Sequence, residues 1–244
     1  MNDQVKPARK RNALNVGKIS LSAPNPQVKG VYATLKWDVF QNNPRIIVDT
    51  RDPNLLSKEN NFGKITAAMS TTDFYTVIEL IKKAAHSTTE DKWKVECLGH
   101  DWVNGVKNTE ITPTASVWVG RDAEGHVFIS VINEAKKNFP IIKFIFAATD
   151  QRYTRLFNGD GTPMTKAQLS QLYSVAVANF LTVIVANVLD THYFEQPPGN
   201  WGNNRGGGGG AGGGYNRGGG GGYGGGGGGR PAPAPDVSDV DLPF

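Results

Sequence analysis

Residues 32–40, YATLKWDVF, alternate between an apolar set and a mixed polar and aromatic set. Successive side chains of a β-strand point to opposite faces, so this alternation predicts a strand with one face in a core. The core-facing set is Ala33, Leu35, Trp37 and Val39, and the opposite set is Tyr32, Thr34, Lys36, Asp38 and Phe40. Trp37 is therefore expected to be a core residue.

Three further strands and a helix are predicted around this stretch. Ile19–Leu21 precedes it and is ended by Pro24-Asn25-Pro26, Arg45–Arg51 follows the turn at Asn42-Asn43-Pro44, and Lys64–Met69 follows a polar loop. The hydrophobic period then becomes helical, with apolar residues at Phe74, Val77, Ile78 and Ile81. Ser70 to Asp73 supply N-cap candidates, and the helix is expected to end near His86.

The second half of the chain repeats this plan. Strands are predicted at Lys92–Leu98, Ala115–Val119, His126–Ile132 and Ile141–Ala147, with a further short strand at Arg152–Phe157. A helix of about 25 residues would start at Thr162 or Thr165 and run through Leu189. Met69–Phe74 aligns with Met164–Leu169 at a fixed separation, which indicates repeats at 18–88 and 89–194. We expect an α+β fold of antiparallel sheets in a duplicated four-strand-plus-helix arrangement.

Composition divides the chain into four parts. We expect a flexible basic arm at 1–17, a folded domain at 18–196, a disordered glycine-rich linker at 197–235 and an acidic tip at 236–244. From Gly199 to Gly229, 21 of 31 residues are glycine, which leaves too little side-chain area to offset the backbone entropy lost on folding. The net charge of +4 is a mild basic bias that is compatible with a polyanion partner.

The sequence favours a soluble protein of a reducing compartment. Cys97 is the single cysteine, so an internal disulfide is ruled out. The first residues are polar and basic rather than an apolar signal. The most apolar stretch, Tyr173 to Leu189, is interrupted by Ser174, Asn179, Thr182 and Asn187, and a buried helix is its expected state. We expect a cytoplasmic location.

Catalytic and metal-site patterns are missing from the sequence. The four histidines, His86, His100, His126 and His192, have no ligand spacing, and no glycine-rich loop is followed by Lys-Ser/Thr. We therefore expect a protein that is not an enzyme and that needs neither a cofactor nor a metal.

Basic and aromatic residues interleave along the predicted strands. Single-stranded nucleic acids are held by basic grooves with aromatic stacking platforms, because every nucleotide has a phosphate and every base a π face. Trp118 and Phe128 could equally belong to a second packed face, and Trp93 is assigned to the core. The predicted nucleic-acid contacts are Tyr32, Lys36, Phe40, Arg45, Lys92, Lys94, Trp118, Phe128, Lys143, Arg152, Tyr153 and Arg155.

The C-terminal residues form an acidic segment that ends in an apolar plug. Such a segment is too short to fold alone, and a protein pocket could bury its ring while a basic group pairs with its carboxylates. The predicted partner-binding residues are Asp236, Asp239, Asp241, Leu242, Pro243 and Phe244.

The linker and tip resemble those of bacterial single-stranded DNA-binding proteins, whose tips end in Asp-Leu-Pro-Phe or Asp-Ile-Pro-Phe. In that family the tip docks replication, recombination and repair proteins, and the resemblance implies the same for residues 239–244. The body departs from the family's five-strand barrel. Its element order instead resembles the Whirly and PUR-type single-strand binders, with an OB-fold β-barrel as the alternative.

Together these features predict a bacteriophage protein that coats single-stranded DNA and recruits a polymerase, helicase or primase. Its location would then be the host cell cytoplasm, and a homo-oligomer is among its expected partners. The alternatives are an RNA-binding protein or RNA chaperone, for which the Gly/Arg/Tyr segment is equally suited, and an adaptor whose body binds another protein.

Overall fold

The computed structural model describes residue 14, residues 19–103, 106–147 and 155–191, and residue 193, with the side chains of residues 101–103 and 106–108 excepted. Its elements are β1 (Leu21–Pro24), β2 (Tyr32–Phe40), β3 (Asn43–Asp49), β4 (Lys64–Ala68), α1 (Thr71–His86), β5 (Asp91–Val103), β6 (Val106–Arg121), β7 (Val127–Asn133), β8 (Phe144–Ile145) and α2 (Lys166–Thr191). The strands pair in chain order as two antiparallel four-stranded sheets, β1 to β4 and β5 to β8. The expected α+β class and the repeated order of four strands and a helix are confirmed.

Strand β2 places its apolar residues in the core, as the alternation predicts. Trp37 is 1% exposed, its indole nitrogen donates to the Ile19 carbonyl at 3.1 Å, and its ring meets Phe74 of α1 edge-on at 6.0 Å. Asp38 departs from the prediction, because it belongs to the opposite face yet is only 4% exposed. Its carboxylate is covered because it accepts two hydrogen bonds from the Arg45 guanidinium, at 2.8 and 2.5 Å.

Several strand boundaries of the first sheet differ from prediction. The turn between β2 and β3 consists of Gln41 and Asn42, both with positive φ (49° and 63°), which is the geometry of a tight two-residue hairpin. Strand β3 therefore starts before Pro44 and ends at Asp49 rather than Arg51, and β4 ends at Ala68. Strand β1 is Leu21–Pro24 rather than Ile19–Leu21; Pro24 is tolerated because β1 is an edge strand.

The two helices begin with equivalent caps. In α1 the Ser70 hydroxyl accepts from the Asp73 amide at 3.1 Å. In α2 the Thr165 hydroxyl accepts from the Gln168 amide at 3.2 Å, and the Gln168 side chain accepts from the Thr165 amide at 2.8 Å. These reciprocal bonds satisfy backbone donors that a helix start otherwise leaves unpaired. The alignment of the two helix starts and the α1 end at His86 are confirmed, while α2 continues two residues past Leu189.

The second sheet differs more from prediction. Strands β5 and β6 extend beyond Leu98 and before Ala115 as a long hairpin, with register shifts at Cys97/Leu98 and between His100 and Trp102. Strand β8 is only Phe144–Ile145, at the edge of the sheet, and the Phe146 amide that follows it donates to the Val127 carbonyl at 3.0 Å. Arg155 and Leu156 are not in a strand, Phe157 makes one bridge to Pro163, and residues 152–154 lie outside the described residues.

One hydrophobic core joins both sheets and both helices. The Tyr75 hydroxyl of α1 donates to the Thr182 carbonyl of α2 at 3.2 Å, and the Ser170 hydroxyl accepts from the Val127 amide at 2.9 Å. Of the predicted arm only Leu14 is described, and it is buried in this core. The predicted linker and tip lie outside the described residues.

Candidate nucleic-acid interface

The outer face of the second sheet gathers five of the predicted contacts, which we call the Trp118 face: Lys92, Lys94, Trp118, Phe128 and Lys143. The register places Lys94 of β5 directly opposite Trp118 of β6, and Gly120 of β6 opposite Phe128 of β7. Trp118 and Phe128 are therefore diagonal neighbours on one side of the sheet, within reach of large side chains. The other side of the same strands is core, since Val117, Val119 and Ile129 are fully buried.

Each aromatic ring of the Trp118 face has an ammonium group nearby. The Lys92 and Lys94 Nζ atoms lie 5.9 and 5.8 Å from the centre of the Trp118 ring, and the Lys143 Nζ lies 4.8 Å from that of Phe128. These distances suit cation–π attraction of about 0.5–1 kcal/mol at exposed sites. Both rings are half-buried, so each keeps an accessible part beside a positive charge. Aromatic surface and positively charged groups are thus adjacent.

Packing, rather than hydrogen bonding, holds the Trp118 ring. Within the described part of the chain, its indole nitrogen is covered from solvent and has no hydrogen-bond partner. Trp118 is neither a fully buried core residue nor a fully exposed one. The sequence left two interpretations of Trp118 open, a second packed face and a stacking platform. The covered indole nitrogen fits the first, and the partly exposed ring fits the second.

Gly120 makes room for the Phe128 ring. A Cβ atom at this position would lie 2.4 Å from the Asp91 carbonyl oxygen, 2.9 Å from the Phe128 Cζ and 3.0 Å from the Lys92 Cβ. The ring of Phe128 therefore crosses the strand where β6 has no side chain. Sequence reasoning missed Gly120, although a glycine inside a strand pattern is a known sign of such a close approach.

Carboxylates share this face with the lysines. Lys94 contacts Glu96 at 2.6 Å and Glu134 at 3.4 Å, and Glu134 accepts from the Ser116 hydroxyl at 2.5 Å. The hydrogen bond with Glu96 holds the pKa of Lys94 above its usual value, and the bond from Ser116 holds the pKa of Glu134 below its usual value. A phosphate approaching Lys94 must compete with these acids. Sequence reasoning missed them because it selected basic and aromatic residues alone.

Lys143 is tied to the hairpin turn between β6 and β7. Its Nζ lies 2.6 Å from the Asp122 carboxylate, which also accepts from the Glu124 and His126 amides at 3.1 and 2.7 Å. Partial burial alone would raise the pKa of Asp122, but the bond from Lys143 and the His126 amide outweigh it and hold that pKa below its usual value. The turn thereby fixes the position of Lys143 over Phe128.

Replacing Asp122 with asparagine is expected to lower the free energy of unfolding at pH 7 by about 0.5–1 kcal/mol. Because the pKa of Asp122 is depressed in the folded state, its stabilisation is present above the unfolded pKa near 4 and is lost as pH falls below it. The difference in unfolding free energy between wild type and Asp122→Asn, measured by urea unfolding at a series of pH values, should therefore shrink as the pH falls below about 4. Glu90→Gln, at an exposed site, is the control and should show no gap; a gap for Asp122→Asn that does not change with pH would contradict this account.

The first sheet carries four predicted contacts on its outer face. Tyr32 is 58% exposed and Lys36 is exposed, while Phe40 and Arg45 are half-buried. The Arg45 guanidinium lies 4.6 Å from the centre of the Phe40 ring and pairs with Asp38. The Arg45 and Asp38 side chains are only 20% and 4% exposed, whereas the ion-paired Lys94 and Lys143 are 33% and 44% exposed. We therefore assign Arg45 and Asp38 to the β2–β3 hairpin, and Tyr32 and Lys36 remain the accessible members of this set.

Arg155 lies apart from the sheets, at a cavity of about 280 Å³ beside the start of α2. Its other lining residues are Leu156, Phe157, Pro163, Met164, Leu169 and Tyr173. Arg152, Tyr153 and all six predicted partner-binding residues lie outside the described residues. The structure therefore brings Lys92, Lys94, Trp118, Phe128 and Lys143 together, and it places Arg155 elsewhere.

Among the described residues, no group of three or more histidine, cysteine, aspartate or glutamate side chains could hold a metal ion. The thiol of Cys97 is buried, and burial together with the charge of Asp73 raises its pKa to about 11. A thiol with this pKa is almost wholly protonated at neutral pH and so is a poor nucleophile.

No protein-family model, no curated protein and no solved structure matches this chain.

Proposed function

We propose that this chain is a single-stranded DNA-binding protein that coats and protects exposed strands in bacteriophage DNA replication and recombination. The observation that carries the proposal is the Trp118 face, where two aromatic rings lie within 6 Å of three lysine ammonium groups. Stacked bases contribute about 1–3 kcal/mol each and lysines neutralise phosphates, so this combination suits single strands. Duplex DNA would leave the rings without stacking partners, because its bases are already stacked.

The acidic tip extends the proposal to recruitment. Asp239, Asp241, Leu242, Pro243 and Phe244 closely resemble the tip of bacterial single-stranded DNA-binding proteins, which ends in Asp-Leu-Pro-Phe or Asp-Ile-Pro-Phe. A protein pocket that buries Phe244 and pairs its carboxylate with a basic group would read this tip. We infer that the chain attracts replication and recombination proteins of its host through these residues and that it carries out no catalysis itself.

We further propose that the fold is of the Whirly or PUR type. Two antiparallel four-stranded sheets, each followed by a helix, support this arrangement. An OB fold uses one five-stranded, partly open barrel. The described strands pair instead as two separate sheets, which favours the first alternative.

The proposal is tested by binding of the full chain to fluorescent dT oligonucleotides, with rU oligonucleotides and duplex DNA as competitors. We expect dT to be bound, with log affinity falling against log salt by about 0.7 for each phosphate neutralised. The chain ending at Pro235 should bind dT at least as tightly, because the tip is assigned to protein partners. It should also lose binding to a bacterial repair protein that recognises the Asp-Leu-Pro-Phe tip.

Each alternative has its own outcome in this experiment. Preference for rU over dT would replace the proposal with RNA binding, for which the Gly/Arg/Tyr segment is suited. Failure to bind either polymer at low salt, with the tip still active, would leave an adaptor. Binding of dT that disappears in the chain ending at Pro235 would contradict the assignment to the sheet face.

A further inference from the structure

Helix α2 has two apolar faces, and only one of them is covered by the described residues. The buried face consists of Ser170, Ser174, Ala178, Leu181, Val185 and Val188. The opposite face, which we call the α2 stripe, consists of Leu172, Ala176, Asn179, Phe180, Val183, Ala186 and Asn187, all exposed. Leu172 and Phe180 are 47% exposed and Val183 is 70% exposed. The sequence prediction of a buried helix is therefore correct for one face and wrong for the other.

The α2 stripe is unlike the solvent face of an ordinary surface helix. Such a face is usually charged or polar, whereas a helix that is apolar all round is normally covered on every side. The charged residues of α2 are Lys166 at its start and Asp190 at its end, with none between them. Its residues repeat at intervals of three and four, which is the spacing of a helix–helix seam. An additional helix packed along the stripe would complete its burial.

We propose that the α2 stripe is the contact surface for a second copy of this chain, with the two α2 helices antiparallel. Charge is the first reason, because antiparallel pairing places Lys166 of each copy beside Asp190 of the other. The helix dipoles also attract in this orientation. Parallel pairing would instead place like charges together at both ends.

Asn179 supplies the second reason. In the register that places Lys166 beside Asp190 the midpoint is residue 178, so the Asn179 side chains of the two copies lie close together, and because an amide both donates and accepts, each can satisfy the other. A polar residue in an apolar helix seam also fixes the register of the pair. The hydrocarbon interior of a lipid bilayer offers these amides no partner. α2 is 26 residues long and contains an 18-residue window with a mean hydropathy of 2.0, enough to cross a membrane by length and composition. The hydrogen bonds of Thr182 with α1 and of Ser170 with β7 hold it in the folded domain.

The test is sedimentation equilibrium of the full chain between about 1 and 100 µM. We expect wild type to form a dimer, or an even-numbered assembly built from it. Val183→Glu should weaken association by at least about a hundredfold, because each copy would bury an unpaired carboxylate. Leu56→Glu is the matched control, since Leu56 is 56% exposed in the loop between β3 and β4 and lies outside the stripe. It should leave association unchanged.

Charge reversal tests the orientation with exposed residues that do not pack in the core. Lys166→Asp should weaken association by about two- to tenfold, and Lys166→Asp combined with Asp190→Lys should restore it. Failure of the double variant to restore association would overturn the antiparallel arrangement. A wild-type monomer at 100 µM, or an assembly that persists in Val183→Glu, would overturn the proposal as a whole. Wild type that co-sediments with phosphatidylcholine vesicles, when Val183→Glu does not, would assign the stripe to lipid and overturn it too.

Discussion

Replacing both Trp118 and Phe128 with alanine is expected to weaken dT oligonucleotide binding by at least about 30-fold at constant salt, because each ring supplies about 1–3 kcal/mol of stacking with a base. The slope of log affinity against log salt should stay close to that of wild type, since the lysines that neutralise phosphates remain. Loss of affinity at an unchanged slope is the signature of lost stacking. Fluorescence anisotropy at four or more salt concentrations measures both quantities.

Two variants separate stacking from a general loss of structure. Trp118→Phe keeps a π face and should retain most of the affinity. Phe62→Ala removes an aromatic ring that is 54% exposed in the loop before β4 and does not belong to the Trp118 face, and this variant should bind like wild type. Urea unfolding of each variant shows that the binding assays contain folded protein. Wild-type affinity in the double alanine variant would remove the Trp118 face from the proposed function.

Local sequence signals were sufficient to predict most of the fold. The alternation at 32–40 defined β2, and the change to helical spacing after Ser70 defined α1, because both patterns depend on residues close in the chain. The cap pairs Ser70–Asp73 and Thr165–Gln168 also form within one helical turn. These local patterns predict the order of the elements and the core position of Trp37, and the structure confirms both.

The long β5–β6 hairpin could not be predicted from local signals. Pro113 and Gly99 are residue types that strands usually avoid, yet both lie in the ladder. Pro113 lies opposite Leu98, next to the register shift between Cys97 and Leu98, and a proline inside a sheet is tolerated at such an irregularity. Such a tolerance depends on which strand lies alongside, and that is a property of the fold rather than of the segment.

The candidate site was predictable in residue type but not in arrangement. Lys94 faces Trp118 only through the β5–β6 register, and Lys143 reaches Phe128 only because Asp122 holds it. Glu96 and Glu134 belong to no sequence motif, and only the interatomic distances in the structure show that they contact Lys94. The exposed side of α2 was equally hidden, because a helix apolar all round has no periodicity to show which face is covered.

Gly120→Ala is expected to lower the free energy of unfolding by about 1–3 kcal/mol, the usual cost of overfilling a packed site. The added methyl group would lie 2.4 Å from the Asp91 carbonyl oxygen, which is backbone in the neighbouring strand and can yield only by shifting β5. Affinity for dT should fall as well, because the same methyl group displaces the Phe128 ring from its place in the Trp118 face. Gly159→Ala is the control, since nothing lies within 4 Å of its added Cβ.

A double variant shows which of these collisions governs stability. Phe128→Ala in the Gly120→Ala background removes the contact at 2.9 Å with the ring but leaves the contact at 2.4 Å with the Asp91 carbonyl. If the backbone contact dominates, the double variant should be no more stable than Gly120→Ala, and its loss of stability should be close to the sum of the losses of the two single variants. Recovery of stability in the double variant would mean instead that the ring alone opposes a side chain at Gly120. In that case the backbone around β6 can accommodate a side chain at position 120, and glycine is needed there only to make space for the Phe128 ring.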